Sequence, residues 1–72
     1  MTAATTIAIT VNGEERRVTA GATIATMLRE LGIDPARVAV ERNLAIVARS
    51  TLQEAPIEEG DQFEIVHFVG GG

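Results

Sequence analysis

The stretch Ile7-Ala8-Ile9-Thr10-Val11-Asn12-Gly13-Glu14-Glu15-Arg16-Arg17-Val18-Thr19 decides how the rest of the chain is read. Ile7, Ile9 and Val11 alternate with Ala8 and Thr10, the period of two that puts one strand face in a core and the other toward solvent or a partner. Asn12-Gly13 follows at once, and both residues tolerate the positive φ that a tight two-residue turn demands. Glu15 to Thr19 is the return strand, with Val18 pointing inward. The chain opens with a hairpin.

Downstream of the hairpin the period changes. Ile24, Met27, Leu28 and Leu31 fall at i, i+3, i+4 and i+7, a single apolar helical stripe, with Arg29 and Glu30 on the opposite face. Thr23 stands at the N-cap, where its hydroxyl can accept from an orphan amide of the first turn. Gly32 follows the last apolar position, the place of a left-handed residue that ends a helix, and Pro35 lies just beyond. Val38 to Glu41 reads as a third strand with Val38 and Val40 on one side, and Asn43 turns it into a short apolar piece at Ile46-Val47. Arg49 to Ile57 is irregular, with Leu52 and Ile57 plugging the core and Pro56 preventing regular pairing. Glu59-Gly60-Asp61 forms a turn before the last strand, Gln62 to Phe68, which points Phe63 and Ile65 inward.

Hairpin, helix, strand, short strand, strand is an α+β order. One helix must cover one face of a four- or five-stranded mixed sheet, since neither buries its apolar side alone. With the first strand beside the last at the sheet centre, this is the β-grasp arrangement. Residues 1–69 are expected to form that domain and residues 70–72 a flexible C-terminal glycine tail.

Seventy-two residues make one small domain with a thin core. The chain has no cysteine, so no disulfide or thiolate metal site staples it and no thiol nucleophile or persulfide can form on it. Met1 to Thr6 carries no basic residue and no apolar run, so no secretory signal is expected. No stretch approaches 18 uninterrupted apolar residues, so no membrane span is expected either. A cytoplasmic protein, monomeric when free, is the resulting expectation. Ten acids against six arginines give a net charge of −4, without the basic patch that nucleic-acid binding leaves in a sequence. There is no lysine, so apart from its N-terminal amine the chain offers itself no amine for isopeptide bonds.

Gly70-Gly71-Gly72 departs from what a fold requires. Glycine loses more conformational freedom on ordering than any other residue, so a run of it after a patterned strand makes a mobile peptide. Two readings stand side by side: a frayed terminus, or an arm that threads a slot too narrow for any β-carbon. In the second, the α-carboxyl group, with a pKa of about 3.3–3.7, arrives as an anion. An anion attacks phosphorus well but is a poor acyl electrophile. Adenylation at the α-phosphorus of ATP cures this, and a sulfur nucleophile can then displace AMP to leave a thiocarboxylate. A partner must supply the ATP site, because no glycine-rich phosphate loop joins a strand to a helix here.

The chain resembles the sulfur carriers of thiamin biosynthesis, the ThiS family. The likeness runs through Val11-Asn12-Gly13, the helix, Val38-Ala39-Val40-Glu41-Arg42-Asn43, Ile46-Val47, Arg49, Glu59 and Gly60-Asp61. It closes on Glu64-Ile65-Val66-His67-Phe68-Val69-Gly70-Gly71-Gly72, its most specific part. Ala48 and Leu52 depart from it, standing where a proline and a larger aromatic are frequent. The resemblance implies a ubiquitin-like β-grasp fold and a non-enzyme, a substrate adenylated by an enzyme related to ubiquitin-activating enzymes. It further implies sulfur loading from a persulfide donor and delivery to thiazole synthase. By position Gly72 would be adenylated and thiocarboxylated, with Gly70 and Gly71 as its arm. No cofactor is expected on the chain itself, ATP being used by the partner.

The remaining signals have plainer readings. His67, beside the tail, could help docking, although a surface histidine without a role is the commoner case and one histidine makes no metal site. Phe68 and Val69 are better contact candidates, as exposed apolar residues near a functional end. Arg16, Arg17 and Arg42 could meet a partner's acids or be solvated strand residues. Glu58, Glu59 and Asp61 read as turn and surface. Two rival functions remain at this point: the small subunit of molybdopterin synthase, which shares the glycine end and the chemistry, and a ubiquitin-like interaction module that uses no tail chemistry.

Overall fold

Asn12 and Gly13 adopt φ of 49° and 85°, the positive values expected of the opening turn. The structure, a computed structural model, describes residues 5–69. The turn joins β1 (Thr6–Val11) to β2 (Glu14–Thr19), antiparallel with Ile7 opposite Val18 and Val11 opposite Glu14. Ile9, Val11 and Val18 are buried and Ile7 is half-buried, so the alternation read in the sequence selects the core face.

Helix α1 (Ile24–Glu30) is short, and both its ends are closed by bonds the sequence announces. The Thr23 hydroxyl accepts from the Thr26 N–H at 3.2 Å. At the far end Gly32, with φ of 82°, donates to the Arg29 carbonyl, and Ile33 donates to that of Leu28 at 2.8 Å. That pair of bonds satisfies carbonyls with no partner inside the helix. Ile24, Ala25, Met27 and Leu28 are buried, whereas Leu31 is only half-buried. An isolated helix of this length is marginal in water, so packing holds it.

A 3₁₀ turn (Pro35–Arg37), capped by Asp34, leads into β3 (Val38–Arg42). Asn43 and Leu44, with φ of 50° and 72°, make a second tight turn into β4 (Ala45–Ile46). The expected short strand was Ile46-Val47, and the observed one begins a residue earlier. The cause is the turn: a two-residue connection fixes Arg42 opposite Ala45 and Glu41 opposite Ile46. Ile46 is consequently turned outward, and half-buried Val47 packs against the core. A second 3₁₀ turn (Arg49–Thr51) opens the irregular segment, where Leu52 and Ile57 are buried as expected. That segment also supplies carbonyls to the start of α1, Leu52 to the Ala25 N–H at 2.7 Å and Ala55 to that of Ile24 at 3.0 Å.

The last strand, β5 (Gln62–His67), lies at the centre of five in the order β2-β1-β5-β3-β4. It lies beside β1, as expected from the element order, running parallel to it and antiparallel to β3. Phe63 and Ile65 point into the core, facing α1 together with Ile9, Val38 and Val40. No helix among the described residues is long and apolar enough to cross a membrane.

Asp61 corrects the sequence reading. Expected on the surface, it is buried. Its carboxylate accepts from Arg42 Nη2 at 2.6 Å, from the Glu58 N–H at 2.8 Å and from Asn43 Nδ2 at 3.2 Å. Glu59 is likewise engaged, its carboxylate accepting from the Ala8 N–H at 3.3 Å. Burial pushes the Asp61 pKa up, yet the hydrogen bonds from Arg42, the Glu58 amide and Asn43 outweigh it and hold the group below the usual aspartate value.

Two stability predictions follow from this packing. Leu28→Ala, which removes a fully buried side chain from the helix face, should cost about 2–5 kcal/mol. A chemical-denaturation midpoint unchanged by it would take α1 out of the core. Asp61→Ala strands Arg42 and two amide donors and should cost about 3 kcal/mol at neutral pH. Because the folded pKa is depressed, the stabilisation from Asp61 is fully present above the unfolded value of about 3.9 and disappears as pH falls through the folded one. Wild-type and variant stabilities, measured by denaturant titration, should therefore converge in acid; a constant gap down to the lowest accessible pH would contradict the role of Asp61.

Candidate functional site

β5 delivers the chain to the site, and its alternation sets what is displayed there. Phe63 and Ile65 face the core, so Glu64 and Val66 face the side of the sheet away from α1, and exposed Phe68 follows just past the strand. Opposite them on β3 stand Ala39, paired with Val66, and Glu41, paired with Glu64. Ile46 of β4 sits beside Glu41. This open face carries two large exposed apolar residues, Ile46 and Val66, around two facing glutamates, and exposed Phe68 lies just beyond the end of β5. Neither glutamate forms an ion pair among the described residues. Like charges directly opposite on neighbouring strands are unfavourable. The sequence reading found Phe68 but missed Val66 and Ile46, although extending the β5 alternation by two residues would have turned Val66 outward.

Of the contact residues expected near the tail, His67 lies opposite Val38 and is exposed, Phe68 is 60% exposed and Val69 is 96% exposed. All three are available to a partner. Gly70, Gly71 and Gly72, expected to form the arm and the modified end, lie outside the described residues. The Phe68 N–H donates to the Arg37 carbonyl at 3.0 Å, so the sheet's hydrogen bonding extends one residue past β5. The Phe68 ring lies against Arg49, whose Cζ is 5.7 Å from the ring centroid. Arg49 was noticed in the sequence only as part of a resemblance, because nothing in local periodicity tells that an arginine in an irregular segment reaches back to a strand end.

Arg42 is not free to meet a partner's acids. It is spent on Asp61 and on the Pro56 carbonyl at 2.9 Å. Arg16 is exposed, 3.7 Å from Glu14, while Arg17 reaches across the hairpin to Thr6 at 3.1 Å.

No group of three or more His, Cys, Asp or Glu side chains among the described residues could hold a metal ion. A cleft of about 380 Å³ beside β4 is lined by Ile24, Arg42 and Ala45 to Ala48 among others, and its one charged group is the Arg42 already paired with Asp61. The geometry is that of a presenting surface, with an apolar face leading to an exposed strand end.

Residues 9–72 match the model of the ThiS family. The thiazole synthase of Paramagnetospirillum magneticum is 48% identical over 64 residues, which is 89% of this chain and 20% of that protein. The chain thus spans about a fifth of the length of the thiazole synthases it resembles. The sulfur carrier protein ThiS of Bacillus subtilis is 40% identical over 50 residues, covering 69% of this chain and 76% of that one. The crystal structure of the thiamine biosynthesis protein ThiS from Geobacter metallireducens superposes with a TM-score of 0.77 at 28% identity, covering 92% of this chain and 100% of that one. With a family match over nearly its whole length and the same ubiquitin-like β-grasp, the chain belongs to the ThiS family.

Proposed function

We propose that this chain is a sulfur carrier in thiamine biosynthesis, acting in the cytoplasm as a substrate and sulfur donor and not as a catalyst. The observation that carries the reading is the course of β5, which ends in exposed Phe68 and Val69 beside an open apolar face, within a family match that runs through Gly72. A partner adenylating enzyme binds the ATP. A Gly72 carboxylate oxygen attacks the α-phosphorus, the bond to pyrophosphate breaks, and an acyl adenylate forms. A persulfide sulfur then adds to the acyl carbon and AMP leaves. Attack of a thiol on the resulting acyl disulfide breaks its S–S bond and releases the thiocarboxylate. Gly70 and Gly71 form the arm that reaches the partner's active site.

Thiazole synthase is the acceptor that the relatives favour. In the thiazole synthases of Paramagnetospirillum magneticum and Magnetococcus marinus, a segment 48% identical to this chain is part of the same polypeptide. Covalent linkage of a donor to its acceptor raises their effective concentration without any new contact. His67, Phe68 and Val69 and the open sheet face are suited to docking on such an acceptor.

With ATP, the adenylating enzyme and a persulfide donor, intact-mass analysis should find one oxygen replaced by sulfur, located at Gly72 by fragmentation. A chain extended by one residue should stay unmodified, since its carboxylate is displaced from the reactive phosphorus. Efficient modification of the extended chain without trimming would count against the terminal-glycine mechanism. Gly71→Val should abolish pyrophosphate release and leave the thermal melt unchanged, because a β-branched side chain neither fits a narrow slot nor takes positive φ. Normal pyrophosphate release by this variant would make the glycines a tether and not a fitted arm.

A further inference from the structure

Four segments converge where β5 ends, and one side chain joins them. Arg49, at the head of the second 3₁₀ turn, donates from Nη1 to the Pro35 carbonyl at 2.9 Å and from Nη2 to the Val38 carbonyl at 3.0 Å. Two carbonyls at the two terminal nitrogens fix the plane of the guanidinium, which a lysine could not reproduce. The Phe68 ring lies 5.7 Å from that group, within the roughly 6 Å reach of a cation–π contact. The Phe68 backbone is held separately, by the bond from its N–H to the Arg37 carbonyl. Phe68 is therefore fastened twice, at the main chain and at the ring, although it is 60% exposed. The next residue, Val69, is 96% exposed.

This double fastening has a purpose that folding does not supply. The ring adds nothing to the core, which closes at Ile65 and Val38. What a fixed Phe68 does determine is the direction in which the main chain leaves the sheet. We propose that Arg49 is a positioning residue for the carrier's chemistry: by holding the Phe68 ring on a fixed platform it sets the direction in which the chain leaves the sheet at Val69, the point from which the reacting carboxyl is presented to the partner's ATP. The inference rests on the carrier reading above and adds to it a residue that touches neither ATP nor the carboxyl. Misplacement of a reacting group by about 1 Å can lower a rate about a hundredfold, so the direction in which the chain leaves the sheet acts on turnover.

The test uses the full chain and three variants. Arg49→Lys keeps the charge and loses the fork, Phe68→Leu removes the ring, and the third combines both. Backbone ¹⁵N relaxation, which needs no partner, should show increased fast motion at Phe68 and Val69 in each. Pyrophosphate release by the adenylating enzyme, measured below the melting temperature of every variant, should show kcat for Arg49→Lys lowered roughly tenfold to a hundredfold with KM changed less than about twofold. In the Phe68→Leu background the same lysine substitution should have no further effect on kcat, because its route of action is already gone. Three results would overturn the inference: Arg49→Lys with normal kcat, with the lower melting temperature of a merely structural loss; an undiminished Arg49→Lys effect in the Phe68→Leu background, which would place Arg49 against the partner directly; or unchanged relaxation at Val69. A wild-type chain that releases no pyrophosphate would instead bring down the carrier reading itself, and this inference with it.

Discussion

Asn12 takes both backbone groups of Ile65 with one side chain, its Oδ1 accepting from the N–H at 2.7 Å and its Nδ2 donating to the carbonyl at 3.2 Å. The rest of the molecule depends on what that contact does. Regular pairing between β1 and β5 covers only Thr10 with Gln62 and Val11 with Phe63, because β1 must turn away into its hairpin. The Asn12 carboxamide continues the parallel pairing where the backbone cannot. On the other flank Asn43, also in a tight turn, accepts from the Gln62 N–H at 2.9 Å and donates to Asp61. The central strand is thus clamped from both sides by the turn residues of its neighbours' hairpins. Each such bond contributes about 1 kcal/mol net, and an unsatisfied buried group costs about 1–3 kcal/mol. Against a total of roughly 5–15 kcal/mol in a domain with no disulfide to help, these clamps matter.

A centrally fixed β5 explains how so small a fold can serve as a carrier. The strand paired on both sides at the sheet centre is the one that leads to the glycines, and its outward residues form part of the open face. Ordering each tail residue costs about 1–2 kcal/mol, so binding strength has to come from the domain surface and the tail has to be reserved for reach. The face around Ile46 and Val66, with Phe68 just beyond it, suits that role, with apolar area for affinity. Glu41 and Glu64, which form no ion pair among the described residues, would select a partner that offers a cation. On the proposed carrier reading the division of labour is spatial: the sheet face is for binding, and the chain beyond Phe68 is for reaction.

Most of the architecture could be read from residue pattern. The hairpin declared itself through Asn12-Gly13, α1 through its stripe, Thr23 and Gly32, and the core through Leu52, Ile57, Phe63 and Ile65. Local patterns sufficed there because each is a statement about one element's period or end. What escaped was non-local and polar. Asp61 looked like a turn acid because its burial depends on Arg42 and Asn43, some twenty residues away, closing over it. β4 was placed a residue late because the Asn43-Leu44 turn lacks the glycine that usually marks such a connection, and Leu44 takes positive φ without announcing it. Arg49 gave no local sign for the same reason as Asp61: its partners, Pro35, Val38 and Phe68, come together only in the fold. Of the candidate site, the exposed end at Phe68 and Val69 was foreseen, and the face that leads to it was not.

The carrier role is tested most directly by following the atom that is carried. The chain, loaded at Gly72 with isotopically labelled sulfur and freed of donor and ATP, is mixed with thiazole synthase and its other substrates in the presence of excess unlabelled sulfide. Mass spectrometry of the thiazole product should then find the label, with one labelled sulfur consumed per carrier and the carboxylate form of the chain regenerated. Thiazole formed at the same rate but carrying only unlabelled sulfur would contradict the carrier role.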